Sequence, residues 1–560
     1  MLDAETIQRE QGVMESRRSA FEALWQDVAQ LMLPRQADFL GSSTLFGRAA
    51  QGRPRTERIF DETAMLALDH GCAVFEGEVI PQGGQWQRFV TRDPDLMKDR
   101  TIALWMETLG DRLFALRNSP VSGFANQTHE SVASLLSFGF QGMWVDVRRD
   151  RATRRATGLS YKSEHIGQVF VREGHDGLIE TVHRKFTLTH RQALAKWGDD
   201  APECARKEAG KPNGGNLDAE STYIHVLTPN RDYEPGRIDR YGKPIYSCYL
   251  SVADKQVFDE GGFRSMPLIC SRYEKSPFED YGRSPGINVL PAVKATQRMM
   301  RDLVTAIEFQ ARPALGANDD MLDQILMYEP GGITYGAVDA RGNKTVQVLF
   351  EGADIAPALQ LLQSTRAVIQ RAFFEDLYVI RQEVKSHVSA TERLQRDQQR
   401  GLLLAPLKRQ ETEWWDPQTA RELDCMAEMG MLDDMPRALA EAGALFQTIY
   451  ENPLARARKA DQAGGFYDML GQVAPLLNLE QGAAAEFTRV YPMRKILPNL
   501  AAIHAVPASW AASEAEQEAD EAKAAQLADT ATALDVGQRA SEIARNVAAS
   551  GPPAGPGGGV

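Results

Sequence analysis

Between residues 279 and 377 two long amphipathic segments bracket a short glycine-rich stretch, an order that few folds accommodate. The first segment, "EDYGRSPGINVLPAVKATQRMMRDLVTAIEFQARPAL", opens on the turn residues Ser284, Pro285 and Gly286 and stops at Pro313. Val289, Val293, Met300, Leu303, Val304 and Ile307 recur on one stripe, while Lys294, Arg298, Arg301 and Glu308 are polar. Pro291 fits a first helical turn, where its missing N–H has no partner to lose. The spacing predicts a helix roughly 33 Å long, at ~1.5 Å per residue. The second segment, "DIAPALQLLQSTRAVIQRAFFEDLYVI", predicts another helix from Asp354 to Leu377, with Asp354 as its cap. Between them, residues 314–353 read as short strands and Gly-rich turns. A small β-rich module is thus expected at the tip of a two-helix stalk.

Upstream, Ile7, Val13, Phe21, Leu24, Trp25, Val28 and Leu31 predict an opening helix over 3–32, stopped by Pro34. A second helix is expected from about Asp61, and a third from about Lys98 to Arg117. A fourth opens at "NQTHESVASLL", with Asn126 or Thr128 as the cap. After residue 140 the period changes to short β-branched and aromatic runs such as "GMWVDVRRD", "STYIHVLTPN" and "PIYSCYLSV", which predict antiparallel strands. A helix at "THRQALAKWGDD" interrupts them. Downstream, "SATE" at Ser389–Glu392 has capping-box spacing and starts a long helix that must kink at Pro406 if it continues. The chain to about residue 500 then reads as helical, 509–547 as Ala-rich helix, and "SGPPAGPGGGV" as a disordered tail.

A chain of 560 residues outgrows a single core, so two or more domains or an elongated subunit are expected. The 76 acidic residues outnumber the 63 Lys plus Arg, giving a net charge of −13 that disfavours tight, general DNA binding. Cys72, Cys204, Cys248, Cys270 and Cys425 are scattered and odd in number, which suits reduced, mostly buried thiols. The first residues lack the apolar core of a signal peptide, and no run approaches the ~18 apolar residues of a membrane span. A soluble, reducing compartment is the expectation.

No constellation for catalysis emerges. "GAVDARGNKT", Gly336 to Thr345, lacks the GxxxxGK[ST] spacing of a phosphate loop and leads into a strand instead of a helix. His183 and His190 do not share a helix face at metal-ligand spacing, and neither GxSxG nor HExxH is present. The basic run "RRDRATRR", Arg148 to Arg155, reads as a solvated turn between strands, with phosphate contact as the alternative.

The order of elements resembles that of phage portal proteins, and more specifically the head-to-tail connectors of short-tailed phages. The resemblance is carried by "RQADFLG" with "RIFDETAMLALDHGCAVFEGEVIPQGGQWQRF", by "YGRSPGINVLPAVKATQRM" and by "SATERLQRDQQRGLLLAPLKRQETEWWDP", three segments in the family's order. It spans nearly residues 5–500.

The resemblance implies an α+β portal-type subunit with a helical stem, a β-rich clip, an α+β wing and a helical crown, assembling into a ring of about twelve copies. It implies a wing over 1–280, a first stem helix over 281–313, a clip over 314–353 and a second stem helix over 354–379. A tunnel loop over 380–389, a kinked wing helix over 390–435, a helical wing or crown over 436–508 and an Ala-rich C-terminus over 509–560 complete the chain. Arg381, Lys385 and His387 would face DNA from the tunnel loop, and Lys294, Arg298 and Arg301 would line the channel from the stem. Implied partners are double-stranded DNA held transiently, the large terminase subunit, a tail adaptor, and the major capsid and scaffolding proteins. No cofactor, metal, membrane or enzymatic activity is implied. The location would be the capsid vertex, and host cytoplasm during assembly. Another oligomeric tail or capsid protein without a channel is the alternative, and an enzyme the remoter one.

Overall fold

The first apolar stripe becomes one helix, α1 (Ala4–Met32), capped by Asp3, whose carboxylate accepts the Thr6 N–H at 3.0 Å. The computed structural model describes residues 3–36, 39, 59–81, 84–93, 95–150, 152–211, 215–317, 335–339, 341–349, 355–375, 408–443 and 446–450, with scattered positions elsewhere. Within α1 the stripe differs from the expected one: Val13 is exposed, whereas Gln11, Met14 and Arg18 are buried. Polar groups can occupy that face because each is satisfied. The Arg18 guanidinium donates to the Gly167 carbonyl at 2.9 Å, pairs with Glu22 at 2.7 Å and lies over the Phe170 ring.

The chain divides into two units. Unit 1 comprises Met1–Arg88, Gly110–Asp433 and Thr448–Ala457. Its remaining elements are the helices α2 (Thr63–Val79), α4 (Phe124–Phe138), α5 (His190–Trp197), α6 (Glu203–Ala209), α7 (Pro285–Ala311), α8 (Ala356–Ala372) and α9 (Asp416–Glu428), with most of the strands. Strand β1 (Gln87–Thr91), helix α3 (Arg100–Arg117) and strand β14 (Phe446–Tyr450) run across the unit boundaries along the chain. α4 begins at Phe124 after a left-handed Gly123, so Asn126 and Thr128 lie inside its first turns and do not cap it. The Ser122 hydroxyl accepts the Phe124 N–H at 3.1 Å in their place.

The β-branched runs form two antiparallel sheets. One orders β3 (Ala156–Ser163), β2 (Phe140–Arg149) and β9 (Leu268–Arg272). The other is a five-stranded meander, β4 (Val169–Glu173), β5 (Ile179–Thr189), β6 (Glu220–Pro229), β7 (Ile245–Ser251) and β8 (Gln256–Phe263). Alternation assigns its two faces. Ile224, Val226, Tyr246, Cys248 and Leu250 pack against Ile7 of α1, while Phe186 and Tyr223 pack against Ala193 of α5 and Ala205 of α6. α5 starts in the full capping box of Thr189 and Gln192. Short ladders follow: β10 (Glu274–Lys275) pairs with β11 (Gly282–Arg283), and β12 (Leu315–Ala317) with β13 (Val346–Val348).

α9 continues out of a π-helical turn at Glu411–Trp415, which buries Trp414, Trp415 and Glu413. Two buried carboxylates fix this segment to the sheets and helices of unit 1 around it. Glu413 receives the Arg272 backbone N–H at 3.0 Å and its guanidinium at 2.8 Å. Glu422 receives the Arg117 guanidinium and, at 2.6 Å, the Tyr161 hydroxyl. Burial and the nearby Glu422 carboxylate push the Tyr161 phenol well above its ordinary value.

Unit 2 comprises Phe89–Leu109, Asp434–Gln447 and Arg458–Val560. It includes the short helix α10 (Arg437–Glu441) and an edge-to-face contact of Phe89 with Phe446 at 5.7 Å. β14 corrects the expectation of unbroken helix in this part of the chain. The capping box at Ser389, Pro406 and most of the Ala-rich C-terminus lie outside the described residues. The five cysteines are free thiols, four of them buried.

Candidate functional site

The two long helices and the short ladder between them form the feature that the sequence marks most strongly. α7 starts where Ser284 caps it, its hydroxyl accepting the Ile287 N–H at 3.0 Å and donating to the Ser137 carbonyl at 2.6 Å. At Gly286 the end of α4 approaches so closely that a Cβ would sit 2.9 Å from the Ser137 carbonyl oxygen. Because the helix starts at Pro285, Pro291 falls beyond the first turn and removes one i→i−4 bond from the helix interior. The N-terminal half of the apolar stripe, including Val289 and Val293, is buried. Val304 and Ile307 continue that stripe but are exposed, so α7 extends past the part of unit 1 that covers its first turns.

α8 begins at Ala356 with Ile355 in the cap position and no side-chain cap, in place of the expected Asp354 cap. Leu362 and Ile369 are its buried positions, and Leu361 and Val368 form a second apolar stripe that faces solvent. Both helices are tied to the chain just before α2. The Gln297 carboxamide oxygen accepts the Phe60 and Asp61 N–H groups at 2.6 and 2.9 Å, and its amide donates to the Asp61 carbonyl at 2.6 Å. The Arg366 guanidinium of α8 donates to the buried Asp61 carboxylate at 2.8 Å. Burial alone would raise the Asp61 carboxyl, but hydrogen bonds from Thr63 and the Arg366 charge hold it below its ordinary value. Farther along α8's axis, a Cβ on Gly71 of α2 would lie 3.1 Å from the Phe373 carbonyl, and His70 meets Glu375 at 3.0 Å.

Lys294, Arg298 and Arg301 recur at i, i+4 and i+7 and share one exposed stripe of α7. Lys294 is held by Asp27 of α1 at 2.6 Å, and Arg301 lies 3.4 Å from its neighbour Asp302. Arg381, Lys385 and His387 lie outside the described residues. Asp61, Gln297 and Arg366 escaped the sequence reading, because an amide and a guanidinium 236 and 305 positions from the carboxylate they bind leave no local pattern.

The two other basic or glycine-rich stretches resolve as turns. In Gly336–Thr345, Asp339 accepts the Arg341 and Asn343 N–H groups at 2.8 Å each, Gly342 is left-handed, and the chain passes into β13. A phosphate loop would need a helix there. In Arg148–Arg155, Asp150 accepts the Ala152 and Thr153 N–H groups, and Arg149 pairs with Glu428. Among the described residues, no cluster of His, Cys, Asp or Glu could hold a metal ion, and no helix is long and apolar enough to cross a membrane.

Over residues 4–509 the sequence matches the family described as "Bacteriophage head to tail connecting protein". The chain belongs to that family. Its relatives among connectors include the "Portal protein" of Salmonella phage epsilon15, 25% identical over 560 residues, which covers 97% of this chain and 95% of the relative. The "Probable portal protein" of Bordetella phage BPP-1 is 24% identical over 529 residues, covering 92% and 91%. The family expected from the three sequence segments is thus the family found.

Proposed function

We propose that this connector is the portal subunit of a phage head, forming a ring around a channel at one capsid vertex through which double-stranded DNA is packaged and later ejected. The observation that carries the reading is the family match along nearly the whole chain. The helix pair, with its ladder at the far end, supports a stem and clip over 281–379, and the two sheets with α1–α6 support a wing. The clip serves the packaging motor first and the tail adaptor later, while residues 380–389 form the tunnel loop. The chain does no covalent chemistry in this role, because a separate motor ATPase drives translocation.

The net charge of −13 suits a conduit. Each phosphate neutralised by protein adds salt-dependent affinity, so a strongly basic wall would brake a strand that has to slide. A few basic groups on an acidic background, Arg381 and Lys385 on the loop and the Arg298 stripe on α7, grip without trapping.

Native mass determination with electron microscopy tests the assembly. Twelve copies of a 62.0 kDa chain give a closed ring of about 744 kDa with a central hole. A dimer or tetramer without a hole would return the chain to the other structural readings. Neutralising Arg381 and Lys385 together is expected to leave the ring intact and change packaged DNA length or retention; unchanged values remove the loop's role. Deleting about residues 316–350 is expected to abolish motor binding, and binding that survives would move the docking site off the clip.

A further inference from the structure

Where β6 passes into β7, a recess of about 190 Å³ opens between their connecting loop and the first turns of α1. Ile7 of α1 packs on Tyr246 of β7, and Glu10, one turn along, shares the wall with Arg172 of β4 and with Arg231 and Arg240 of the loop. The loop is held in shape by its own bonds. The Asn230 side-chain amide donates to the Arg240 and Lys243 carbonyls at 3.2 and 2.9 Å, and its backbone N–H to the Pro244 carbonyl at 2.7 Å. The guanidiniums of Arg237 and Arg240 lie 4.6 and 5.0 Å from the centre of the Tyr241 ring.

The spare hydrogen-bonding groups decide what kind of atom the recess takes. A guanidinium offers five N–H donors in a planar fork. Arg172 spends one on Glu10 at 3.3 Å and one on the Thr181 hydroxyl at 3.2 Å. Arg240 is held by Glu260 and donates to the Tyr241 hydroxyl at 3.1 Å. Arg231 is exposed and has no ion pair among the described residues. The Tyr246 hydroxyl is buried with only the Cys248 thiol beside it, a weak acceptor. Burial raises the Tyr246 phenol above its ordinary value, so it stays an O–H donor. Unspent donors thus outnumber the acceptors that Glu10 and Asp232 bring to the wall, which selects an oxyanion.

Charge limits how much anion it takes. On the recess and its loop the cations Arg172, Arg231, Arg237, Arg240 and Lys243 stand against the carboxylates Glu10, Asp232, Glu234, Asp239 and Glu260. The region is balanced as a whole, so a polyanion gains little there, whereas one negative charge finds Arg231 unpaired in the wall. A carboxylate carries that single charge; a phosphate monoester carries nearly two. Size and surface complete the description. A cavity of ~150 Å³ holds benzene, so this recess admits a six-membered ring with its acid group, and Pro229 and the Tyr241 ring give the ring apolar contact.

We propose that this recess binds a small ring-bearing carboxylate, its oxygens taken by the Arg231 guanidinium and the Tyr246 hydroxyl. The site stands apart from the portal reading, and its test does not depend on ring assembly. Saturation-transfer NMR of the full-length chain with benzoate, at an ionic strength held constant with chloride, reads the binding. A saturable signal is expected with a midpoint at or below about 10 mM, and benzyl alcohol, which lacks the charge, is expected to bind about tenfold more weakly. Arg231→Gln is expected to weaken benzoate about tenfold. Tyr246→Phe removes a poorly satisfied buried hydroxyl, so it is expected to fold as stably as wild type and still to weaken benzoate about threefold. Lys243→Gln takes the same charge from the same loop outside the wall and is expected to move the midpoint less than about twofold. No saturable signal from wild type, or an unchanged midpoint in either wall variant, overturns the proposal. An equal loss in Lys243→Gln and Arg231→Gln overturns it as well, by reducing the effect to general charge. Inorganic phosphate that displaces benzoate at a lower concentration than benzoate itself needs overturns the choice of a carboxylate.

Discussion

At Asp61 one residue closes three links: its carboxylate takes the Arg366 guanidinium of α8, while its N–H and carbonyl are both bound by Gln297 of α7. Asp61→Ala leaves Arg366 without its carboxylate and the start of α2 without the bond to the Thr63 N–H. A fully buried pair broken this way costs 3–5 kcal/mol; because Arg366 reaches solvent, about 2 kcal/mol is expected, read as a shift in the urea midpoint. An unchanged midpoint would show that Gln297 alone holds the helices. The buried histidines make a second claim at this scale. His183 is neutral, pushed down to about 3 by burial, with its Nδ1 against Gln11 of α1 at 3.0 Å, and burial lowers His225 as well. The unfolded chain takes up these protons near pH 6.5 and the folded chain does not. Stability therefore declines as the pH falls below about 6.5 and levels off only near 3. At pH 5.5 His183 costs about 1.4 kcal/mol relative to pH 7.5, and His225 acts in the same direction. His183→Gln is expected to flatten this acid dependence, and equal slopes for variant and wild type would assign it elsewhere. Neither histidine was legible as a buried group, since "HRKFTLTH" and "STYIHVLTPN" show only spacing and the partners come from α1 and the neighbouring strands.

Helix ends show where local sequence suffices. Asp3, Ser284 and the Thr189–Gln192 box cap by contacts within three residues, and those starts were readable or nearly so. α4 was misread because its start depends on a left-handed Gly123 and a neighbouring serine, while Asn126 and Thr128 have the chemistry of caps without the position. The stripe of α7 was read correctly as apolar, but which of its residues are covered, Val289, Val293 and Leu303, and which are left exposed, Val304 and Ile307, depends on where α1, α4 and α8 pack against it. Strand runs were legible by their period, whereas the separation into a three-stranded and a five-stranded sheet was not. The close approach of α7 to the end of α4 yields the prediction here. Gly286→Ala would force a methyl group to 2.9 and 3.1 Å from the Ser137 and Leu136 carbonyl oxygens, which belong to backbone and cannot swing aside. A loss of about 1–3 kcal/mol is expected, although alanine favours helix over glycine. A variant as stable as wild type would mean that α7 can slide along α4.

For the whole molecule, charge and exposed apolar surface pull assembly in opposite directions, and salt separates them. Each chain carries a net charge of −13, so copies brought side by side repel through solvent. Against this stand the exposed stripes Val304 and Ile307 on α7 and Leu361 and Val368 on α8, whose burial between copies would be insensitive to moderate salt. The Debye length falls from ~30 Å at 0.01 M to ~8 Å at physiological ionic strength, which screens the repulsion and leaves the apolar attraction. The fraction of chain in the proposed ring is therefore expected to rise with added salt in sedimentation velocity, and Val304→Ser with Leu361→Ser to shift the midpoint to higher protein concentration. A ring held mainly by ion pairs between copies would respond in the opposite sense, dissociating as salt is added. That result would transfer the cohesion from the helix stripes to charged groups elsewhere in the subunit, leaving the balance of −13 as a feature suited to the proposed DNA conduit and not as a term the assembly has to overcome.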